Sequence, residues 1–371
     1  MIIQSIEAIP LCYDMQNAIW DAQHYFSKRQ CLIIKIKTDE GIIGFGESAT
    51  FGGPVNVTKV VVEEELSPLY VGKDPFHVEE LWETAYRQTI QHGRKGIVIS
   101  ALSGIDIAVW DIIGKACKQP LYRVLGAHKN RVQAYASGGF YAEGKGKDGL
   151  CKEVVASIEK GFTTAKIKVG KLPLREDIER VRTLRHAVGD NVHLAVDANS
   201  NWDVPTAKKA AHLLEELDIE WIEEPVSVDD VTGSSQVVKN STIAISGYEQ
   251  EVSLFGYKQL LEERAIDVVQ PDVVWCGGIT AARRIAVLAA SHSILCRPHV
   301  FSSGLCLSAN LHFIASTANA DLLEYDQNPN PLRNELIKDV LLPDAQGFVN
   351  LPSEPGLGVE VNEEILKKYR I

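Results

Sequence analysis

The hydrophobic and polar positions follow two different patterns, and the change falls near residue 125. Three strand-like runs come first, at IIQSIEAIPL, QCLIIKIKT and IIGFGES, with a turn signal at Asp39 to Gly41. Helical periodicity then appears at 57–70, 77–91 and 97–117. The first 125 residues are therefore predicted to form an α+β domain.

From about residue 130, short β-branched runs alternate with amphipathic stretches such as 175–188 and 204–217. The runs predict eight strands, at 132–137, 164–169, 192–197, 219–223, 243–248, 266–271, 293–297 and 320–324. Alternating strand and helix units are typical of an α/β barrel. No barrel helix is evident after the eighth strand. We expect a barrel at 126–349 and a capping domain at 1–125, completed by 350–371.

Charged or polar side chains recur where the predicted strands end. The successive steps between them are 29, 26, 26, 23, 27 and 25 residues, which is the length of one strand–helix unit. The residues are Lys168, Asp197, Glu223, Glu249, Asp272, His299 and Glu324. Active sites of (β/α) barrels lie at the carboxyl ends of the strands. The spacing therefore predicts that these side chains share one barrel mouth.

Three neighbouring carboxylates, those of Asp197, Glu223 and Glu249, are predicted to ligate a metal ion. Any one of them alone is more often an ordinary strand-end or helix-cap acid. Their equal spacing puts them side by side, where they would repel one another and raise each other's pKa. A hard divalent cation relieves that repulsion, and all-oxygen ligation favours Mg²⁺, with Mn²⁺ as a second choice.

Two lysines and a histidine are the candidate bases. Lys166 and Lys168 lie on one face of their strand, and two adjacent ammonium groups are expected to lower each other's pKa. His299 ends the seventh strand, opposite the second, and Asp272 would fix its tautomer. Glu324 would donate a hydrogen bond to a substrate carboxylate. Taken singly, a K-x-K run on an exposed edge strand or a surface glutamate is the more common case.

Composition excludes several other classes of protein. The chain has 371 residues, 45% hydrophobic and 23% charged, with a net charge of −11 that disfavours a nucleic-acid partner. No stretch approaches 18 uninterrupted apolar residues, so no membrane span is expected, and the start lacks a secretory signal. Seven scattered cysteines without a C-x-x-C pair are typical of reduced thiols, which predicts a cytoplasmic protein.

A set of motifs along the whole chain resembles one protein family. They are GIIGFGES, ALSGIDIAVWDIIGKACKQPLYRVLG, AKIKVG, VDANSNW, WIEEP, QPDVVWCGG, RPHVF and EPGLGVEVN. Together they are similar to the mandelate racemase and muconate lactonizing branch of the enolase superfamily. The resemblance implies a (β/α)7β barrel under an α+β cap, with the active site between the two.

The same resemblance assigns roles to the spaced residues. It implies Mg²⁺ ligation by the three carboxylates, Lys168 as base with Lys166 as its partner, and a His299–Asp272 dyad on the opposite side. It also implies Glu324 as the electrophilic acid and Asn199 near metal and substrate. This set resembles the mandelate racemase subgroup, because the muconate subgroup has lysine on both sides. The family is also commonly oligomeric, so a homo-oligomer is expected.

Several reactions start from the enediolate that such a site generates. The motifs resemble those of acid-sugar dehydratases and galactarolactone-type cycloisomerases more than those of mandelate racemase itself, and β-elimination of water from a sugar acid is predicted first. A cycloisomerase of a sugar-acid lactone or anhydro sugar acid is the second hypothesis, and a racemase or epimerase of a 2-hydroxy acid is the third. A sugar-acid-binding barrel without turnover remains open. So does a Schiff-base aldolase, which leaves the three spaced carboxylates unexplained.

Substrate specificity is expected to come from the capping domain. Two loops are predicted to lie over the mouth, at 14–28 and 48–54. Their aromatic and imidazole side chains would close over the substrate as a lid; they are Trp20, His24, Tyr25 and Phe51. Simple packing between the domains is the alternative reading of these side chains.

Overall fold

The computed structural model describes residues 1–51 and 53–371. The chain begins with an antiparallel three-stranded sheet in the order β1-β2-β3. Its strands are β1 (Ile3–Trp20), β2 (Tyr25–Thr38) and β3 (Ile43–Ser48). The first two form a long hairpin in which Trp20 pairs with Tyr25. The prediction of a loop over 14–28 is therefore wrong for most of that range, because β1 and β2 pair with each other through much of it.

The helices of the first domain pack on one face of this sheet. They are α1 (Val55–Val60), continued by a π-helical turn (Val61–Leu66) and α2 (Ser67–Tyr70), then α3 (Val78–Thr89), α4 (Ile97–Ala116) and α5 (Leu121–Val124). The three predicted helices are confirmed. By length and hydropathy α4 could cross a membrane, but 89% of that stretch is buried as the central helix of this domain.

The second part of the chain is a barrel of eight parallel strands. The strands are β4 (Arg131–Gly138), β5 (Thr164–Lys168), β6 (His193–Asp197), β7 (Ile219–Glu223), β8 (Ala244–Gly247), β9 (Val268–Val269), β10 (Leu295–Cys296) and β11 (Leu322–Asp326). Neighbours pair in chain order, and β11 pairs with β4. A bridge from Cys296 to Ala320 links β10 to the segment entering β11. The eight predicted strands are confirmed.

Seven helices cover the barrel, one after each of its first seven strands. They are α6 (Lys147–Ile158), α7 (Leu174–Val188), α8 (Val204–Glu215), α9 (Val231–Lys239), α10 (Ser253–Glu262), α11 (Gly278–Ser291) and α12 (Gly304–Ala315). After β11 the chain forms the short α13 (Pro331–Asn334) in place of an eighth barrel helix. The architecture is thus the expected (β/α)7β barrel with an α+β cap.

The C-terminal segment returns to the first domain. A short strand, β12 (Phe348–Asn350), pairs antiparallel with β4, and a final helix, α14 (Glu363–Tyr369), follows. Arg370 pairs with Leu11 of β1. The sequence pattern did not predict α14. The domain limits at residues 125 and 349 remain a prediction.

Polar groups as well as apolar packing join the cap to the barrel. The Asp106 carboxylate on α4 accepts hydrogen bonds from the Thr280 amide (3.0 Å) and hydroxyl (2.6 Å) at the start of α11. Trp110 Nε1 donates to the same hydroxyl at 2.9 Å. Because burial dominates at Asp106, it raises the pKa of that carboxyl to about 7. The cap is therefore held to the barrel through buried, directional contacts.

The contact between α4 and β3 requires glycine at Gly46. A Cβ there would lie 2.1 Å from the Gly104 carbonyl oxygen and 2.7 Å from the Ala108 amide nitrogen, both backbone atoms. We expect Gly46→Ala to lower the free energy of unfolding by about 1–3 kcal/mol, measured by urea denaturation. As a control, Gly149→Ala in α6 meets only flexible Lys145 carbons. An equal loss in both variants would contradict this account.

Burial of Asp106 should make stability depend on pH. Its pKa is about 7 in the fold against 3.8 in its ordinary state, so the folded protein holds this proton more tightly. The contribution of Asp106 to stability is present below pH 3.8 and declines as the pH rises toward about 7. Relative to Asp106→Asn, the wild type should therefore lose unfolding free energy over that range in denaturation series. Parallel curves for the two proteins would refute the prediction.

Candidate active site

Strand register brings the first three predicted residues into one row. Lys168, the last residue of β5, lies opposite Asp197, the last residue of β6. Asp197 in turn lies opposite Glu223, the last residue of β7. All three side chains are buried inside the barrel. Equal spacing in the sequence thus becomes a single layer at the carboxyl ends of the strands.

Lys166 lies one layer deeper and bridges two carboxylates. Its Nζ donates to Glu223 Oε1 and lies 2.9 Å from Glu324 Oε1. Burial by itself lowers the pKa of this lysine, but attraction from the two glutamates outweighs it and raises the pKa well above the ordinary value. Lys166 is consequently a charged element that neutralises the centre of the barrel.

Lys168 pairs with Asp197. Its Nζ donates to Asp197 Oδ2, and it lies 4.9 Å above the ring of Phe140. Burial and the neighbouring Lys166 each lower the pKa of Lys168, but the carboxylates of Asp197, Asp21 and Glu223 together outweigh them, so the pKa is raised. The expected effect of the second ammonium group on Lys168 is therefore present, but nearby carboxylates dominate.

His299 lies between two carboxylates. Its Nδ1 is 2.9 Å from Asp272 Oδ2, and its Nε2 is 3.3 Å from Glu249 Oε2. Burial lowers the pKa of the imidazole, but the Glu249 charge and the Asp272 hydrogen bond raise it overall to about 10. His299 is therefore an imidazolium in this arrangement and has a proton to give.

Glu324, predicted to donate a hydrogen bond to a substrate carboxylate, is a hydrogen-bond acceptor in this structure. Its Oε2 accepts from the Val300 amide at 2.9 Å, and its other oxygen faces Lys166. Burial raises the pKa of this carboxyl, but the charges of Lys166 and His299 overcome that effect and hold the pKa at about 2. A donor role would require a proton that these neighbours disfavour.

A cavity of about 250 Å³ opens above this layer, between cap and barrel. Six of the predicted site residues line it: His24, Lys168, Asn199, Glu249, His299 and Glu324. Four others lie buried beneath it: Lys166, Asp197, Glu223 and Asp272. Phe51 also lines the cavity, with its ring centroid 5.5 Å from that of His299.

Two predicted substrate-binding residues lie outside this cavity. Tyr25 is 68% exposed and stacks on Trp20, with 5.9 Å between the ring centroids. Trp20 lines a neighbouring cavity, together with Tyr141 and Lys171. Side chains alternate between the two faces of a strand, so neighbouring residues of the hairpin point in different directions. The hairpin tip directs Asp21, Gln23 and His24 over the barrel mouth, in place of Trp20 and Tyr25.

The hairpin tip is tied to the barrel by residues that the sequence did not single out. The Asp21 carboxylate accepts from the backbone amides of Gln23 (2.7 Å) and His24 (2.6 Å), and it lies 3.2 Å from His24 Nδ1. Gln23 Nε2 donates to the Asn199 carbonyl at 2.6 Å. These contacts place an imidazole from the cap in the wall of the cavity.

Glu224 is a further residue that sequence reasoning missed. One carboxylate oxygen accepts from the amides of Tyr248 (3.1 Å) and Glu249 (3.3 Å), and the other accepts from the Ser200 hydroxyl (3.2 Å). Its backbone φ of 40° is left-handed, which a non-glycine residue seldom adopts unless its surroundings enforce it. The second glutamate of WIEEP, directly after a predicted ligand, was the available signal.

The carboxylate layer has the right chemistry for a magnesium ion. Three carboxylates come from adjacent strand ends, and Asn199 Oδ1 is a buried oxygen that has no hydrogen-bond partner among the described residues. As the side chains stand, no three His, Cys, Asp or Glu in residues 1–51 and 53–371 form a metal-ligating group. Each of the three carboxylates instead forms an ion pair with a basic side chain. Glu223 pairs with Lys166, Asp197 with Lys168 and Glu249 with His299. These carboxylate and amide oxygens are the ligands that Mg²⁺ prefers, and Asp197 would ligate the ion in place of its ion pair with Lys168.

Fold and site together define an enzyme of the capped (β/α)-barrel class, with a lysine and a histidine on opposite sides of a carboxylate layer. Family models match the chain at both ends: the mandelate racemase / muconate lactonizing enzyme N-terminal domain at residues 13–126 and the enolase C-terminal domain-like family at residues 150–365. The chain belongs to the enolase superfamily, in the mandelate racemase/muconate lactonizing enzyme family. It is therefore a lyase or isomerase.

Relatives with assigned activities act on sugar acids or their lactones. The chain is 34% identical to an arabinonate dehydratase from Saccharolobus solfataricus, covering 100% of this chain and 99% of that protein. It is 30% identical to a D-galactarolactone cycloisomerase from Agrobacterium fabrum, with the same coverage. A solved racemase from Streptomyces coelicolor with bound magnesium has a TM-score of 0.93 and 27% identity, covering 100% of both chains.

We predict that Glu224→Ala weakens divalent-ion binding. Loss of the carboxylate releases the amides of Tyr248 and Glu249, so the Glu249 side chain is no longer held in place. Magnesium affinity should fall by roughly 10–100-fold, as is usual when support for a ligand is removed, measured by isothermal titration calorimetry. Glu224→Gln keeps an oxygen for those two amides and should bind nearly as the wild type does. Equal affinity in all three proteins would disprove the role.

Proposed function

We propose that this enzyme is a magnesium-dependent acid-sugar dehydratase. It removes the α-proton of a sugar acid and eliminates water from the β-carbon to give a 2-keto-3-deoxy acid. One observation carries the proposal: Lys168 and His299 line the same cavity from opposite sides of the barrel, and each is oriented by its own carboxylate. A substrate between them has a base on one face and an acid on the other.

Lys168 is the residue that takes the α-proton. In its resting arrangement it is an ammonium paired with Asp197, so it must first lose that proton and that partner. Asp197, Glu223 and Glu249 would hold the magnesium ion, which would supply positive charge to stabilise the negative charge that develops on the substrate carboxylate. The loss of attraction from Asp197 lowers the pKa of Lys168, and burial lowers it further. A neutral amine is then available as the general base.

His299 supplies the proton for the leaving hydroxyl. Asp272 holds Nδ1, which leaves Nε2 directed toward Glu249 and the cavity. As the bond between the β-carbon and its hydroxyl breaks, Nε2 protonates the departing oxygen and water leaves. The electron pair of the enediolate forms the new carbon–carbon double bond, and the resulting enol tautomerises to the keto acid. Acid and base therefore act from opposite faces.

The position of the cavity supports a polyhydroxylated substrate. Its walls carry hydrogen-bonding groups from both domains, including Asp21 and His24 from the cap and Ser137 and Asn199 from the barrel. Its volume of about 250 Å³ suits a small acid and not a polymer. These groups match the hydroxyls of a sugar acid better than the ring of an aromatic 2-hydroxy acid.

A cycloisomerase acting on a sugar-acid lactone is the second candidate. It is supported by the 30% identity to the D-galactarolactone cycloisomerase over the full chain. The same two residues serve both reactions. Lys168 takes the α-proton, and His299 protonates a ring oxygen as leaving group in place of a hydroxyl. The two functions differ in whether water is released.

The proposal is tested by proton NMR of the enzyme with Mg²⁺ in D₂O over mono- and diacid sugars and their lactones. We expect the α-proton signal to disappear and signals of a 2-keto-3-deoxy acid to appear, and Lys168→Met to abolish both changes. Ring opening without loss of water would assign the cycloisomerase function. Exchange or inversion at the α-carbon alone would assign an epimerase, and no change across the library would refute a sugar-acid substrate.

A further inference from the structure

Glu47 is a fully buried carboxylate on β3 of the cap that reaches into the barrel. Its two oxygens accept from the hydroxyls of Ser302 and Ser303 and from the Cys306 amide, the last at 3.1 Å. The Ser303 amide lies 3.4 Å from the same carboxylate. In the described part of the chain, no lysine or arginine forms an ion pair with it. One cap side chain thus holds four donors of a single barrel segment.

That segment follows directly after the acid of the proposed reaction. Ser302 is three residues beyond His299, and Ser303 caps α12 by accepting from the Leu305 amide at 3.1 Å. The Asn330 side chain donates to the Ser302 carbonyl at 2.8 Å. Because so few bonds separate Ser302 from His299, a shift of this segment moves the backbone that carries the imidazole.

Phe301, directly before Ser302, gives this segment a second connection to the cavity. Phe301 lines the cavity, stacks on Phe140 with 5.5 Å between the ring centroids, and lies under the guanidinium of Arg29, 3.9 Å away. The ring centroids of Phe301 and His299 are 6.3 Å apart. The chain from residue 299 to residue 303 is therefore held at one end by Asp272 and at the other end by Glu47.

The Glu47 carboxylate is costly to keep charged, because burial raises its pKa to about 7. What a carboxylate provides is direction, because it accepts several hydrogen bonds at fixed angles. Directional contacts from the cap suit a segment whose position matters for the reaction.

We propose that Glu47 is a positioning residue for His299, through which the capping domain sets the place of the imidazole in the cavity. The inference rests on the proposed function, in which His299 delivers the proton. It assigns to the cap a role in the chemical step, in addition to any contact that the cap makes with substrate. Glu47 itself does not touch the cavity.

The variants are Glu47→Ala and Glu47→Gln, with Asp106→Ala as the matched control. Asp106 is likewise a buried cap carboxylate with a pKa of about 7 that accepts an amide and a hydroxyl at the start of a barrel helix. It differs in holding α11 and not the segment after His299. All variants are first checked for folding by circular dichroism, and kcat and KM are then measured with the sugar acid found in the NMR library.

Glu47→Ala should lower kcat by about 10–100-fold, since small misplacement of a catalytic group has effects of this size, and leave KM within about threefold. Glu47→Gln keeps one side-chain carbonyl oxygen as the acceptor for Ser303 and Cys306, so this variant should retain most of kcat. Asp106→Ala should leave kcat within about twofold. An equal loss in Asp106→Ala, or an unchanged kcat in Glu47→Ala, would overturn the proposal.

Hydrogen exchange measured by mass spectrometry tests the positioning without any substrate. Glu47→Ala should speed amide exchange in the segment 299–307 selectively, and Asp106→Ala should do so at 278–282 instead. This arm stays decisive if the NMR library yields no substrate, so failure of the proposed function and failure of the Glu47 proposal are distinguishable. Exchange that is unchanged at 299–307, or raised throughout the barrel in Glu47→Ala, would refute it.

Discussion

The balance of charge inside the barrel mouth is the constraint on which the site depends. Strand register places Asp197, Glu223 and Glu324 around a buried interior, where uncompensated carboxylates would repel one another strongly. Lys166 and Lys168 compensate them, each in contact with at least one carboxylate. The balance of charge in this layer therefore depends on both lysines.

Charged side chains also compensate one another on the other side of the cavity. His299 is charged because Asp272 and Glu249 flank it, and Glu249 in turn is held by the neighbouring Glu224. Left-handed backbone conformations recur around this region, at Asn199, Ser200, Glu224 and Tyr248. Such conformations cost about 1–3 kcal/mol each and persist only where the surroundings enforce them. Because these residues lie at the barrel mouth, we infer that the strained backbone orients the side chains of the site.

Much of the fold and of the barrel side of the site was predictable from the pattern of the chain. Strand–helix alternation located all eight barrel strands, and the nearly regular step between charged residues located Lys168, Asp197, Glu223 and His299 at one mouth. Those features are local and repeat with the unit, so each copy reinforces the others. The cap offered no such repeat. Its hairpin was mistaken for a loop, and Trp20 and Tyr25 were assigned to a cavity that they do not line.

The sequence by itself determined the class of fold, the order of its units and the identity of the charged side chains at the strand ends, because periodicity and spacing follow directly from residue order. Only the tertiary structure decided what those charges do to one another. The pairing of Lys168 with Asp197, the low pKa of Glu324, and the contacts of Glu47 with the segment after His299 join residues 24 to 259 positions apart. Such effects fall steeply with distance and depend on burial, and neither quantity is written in the order of the residues.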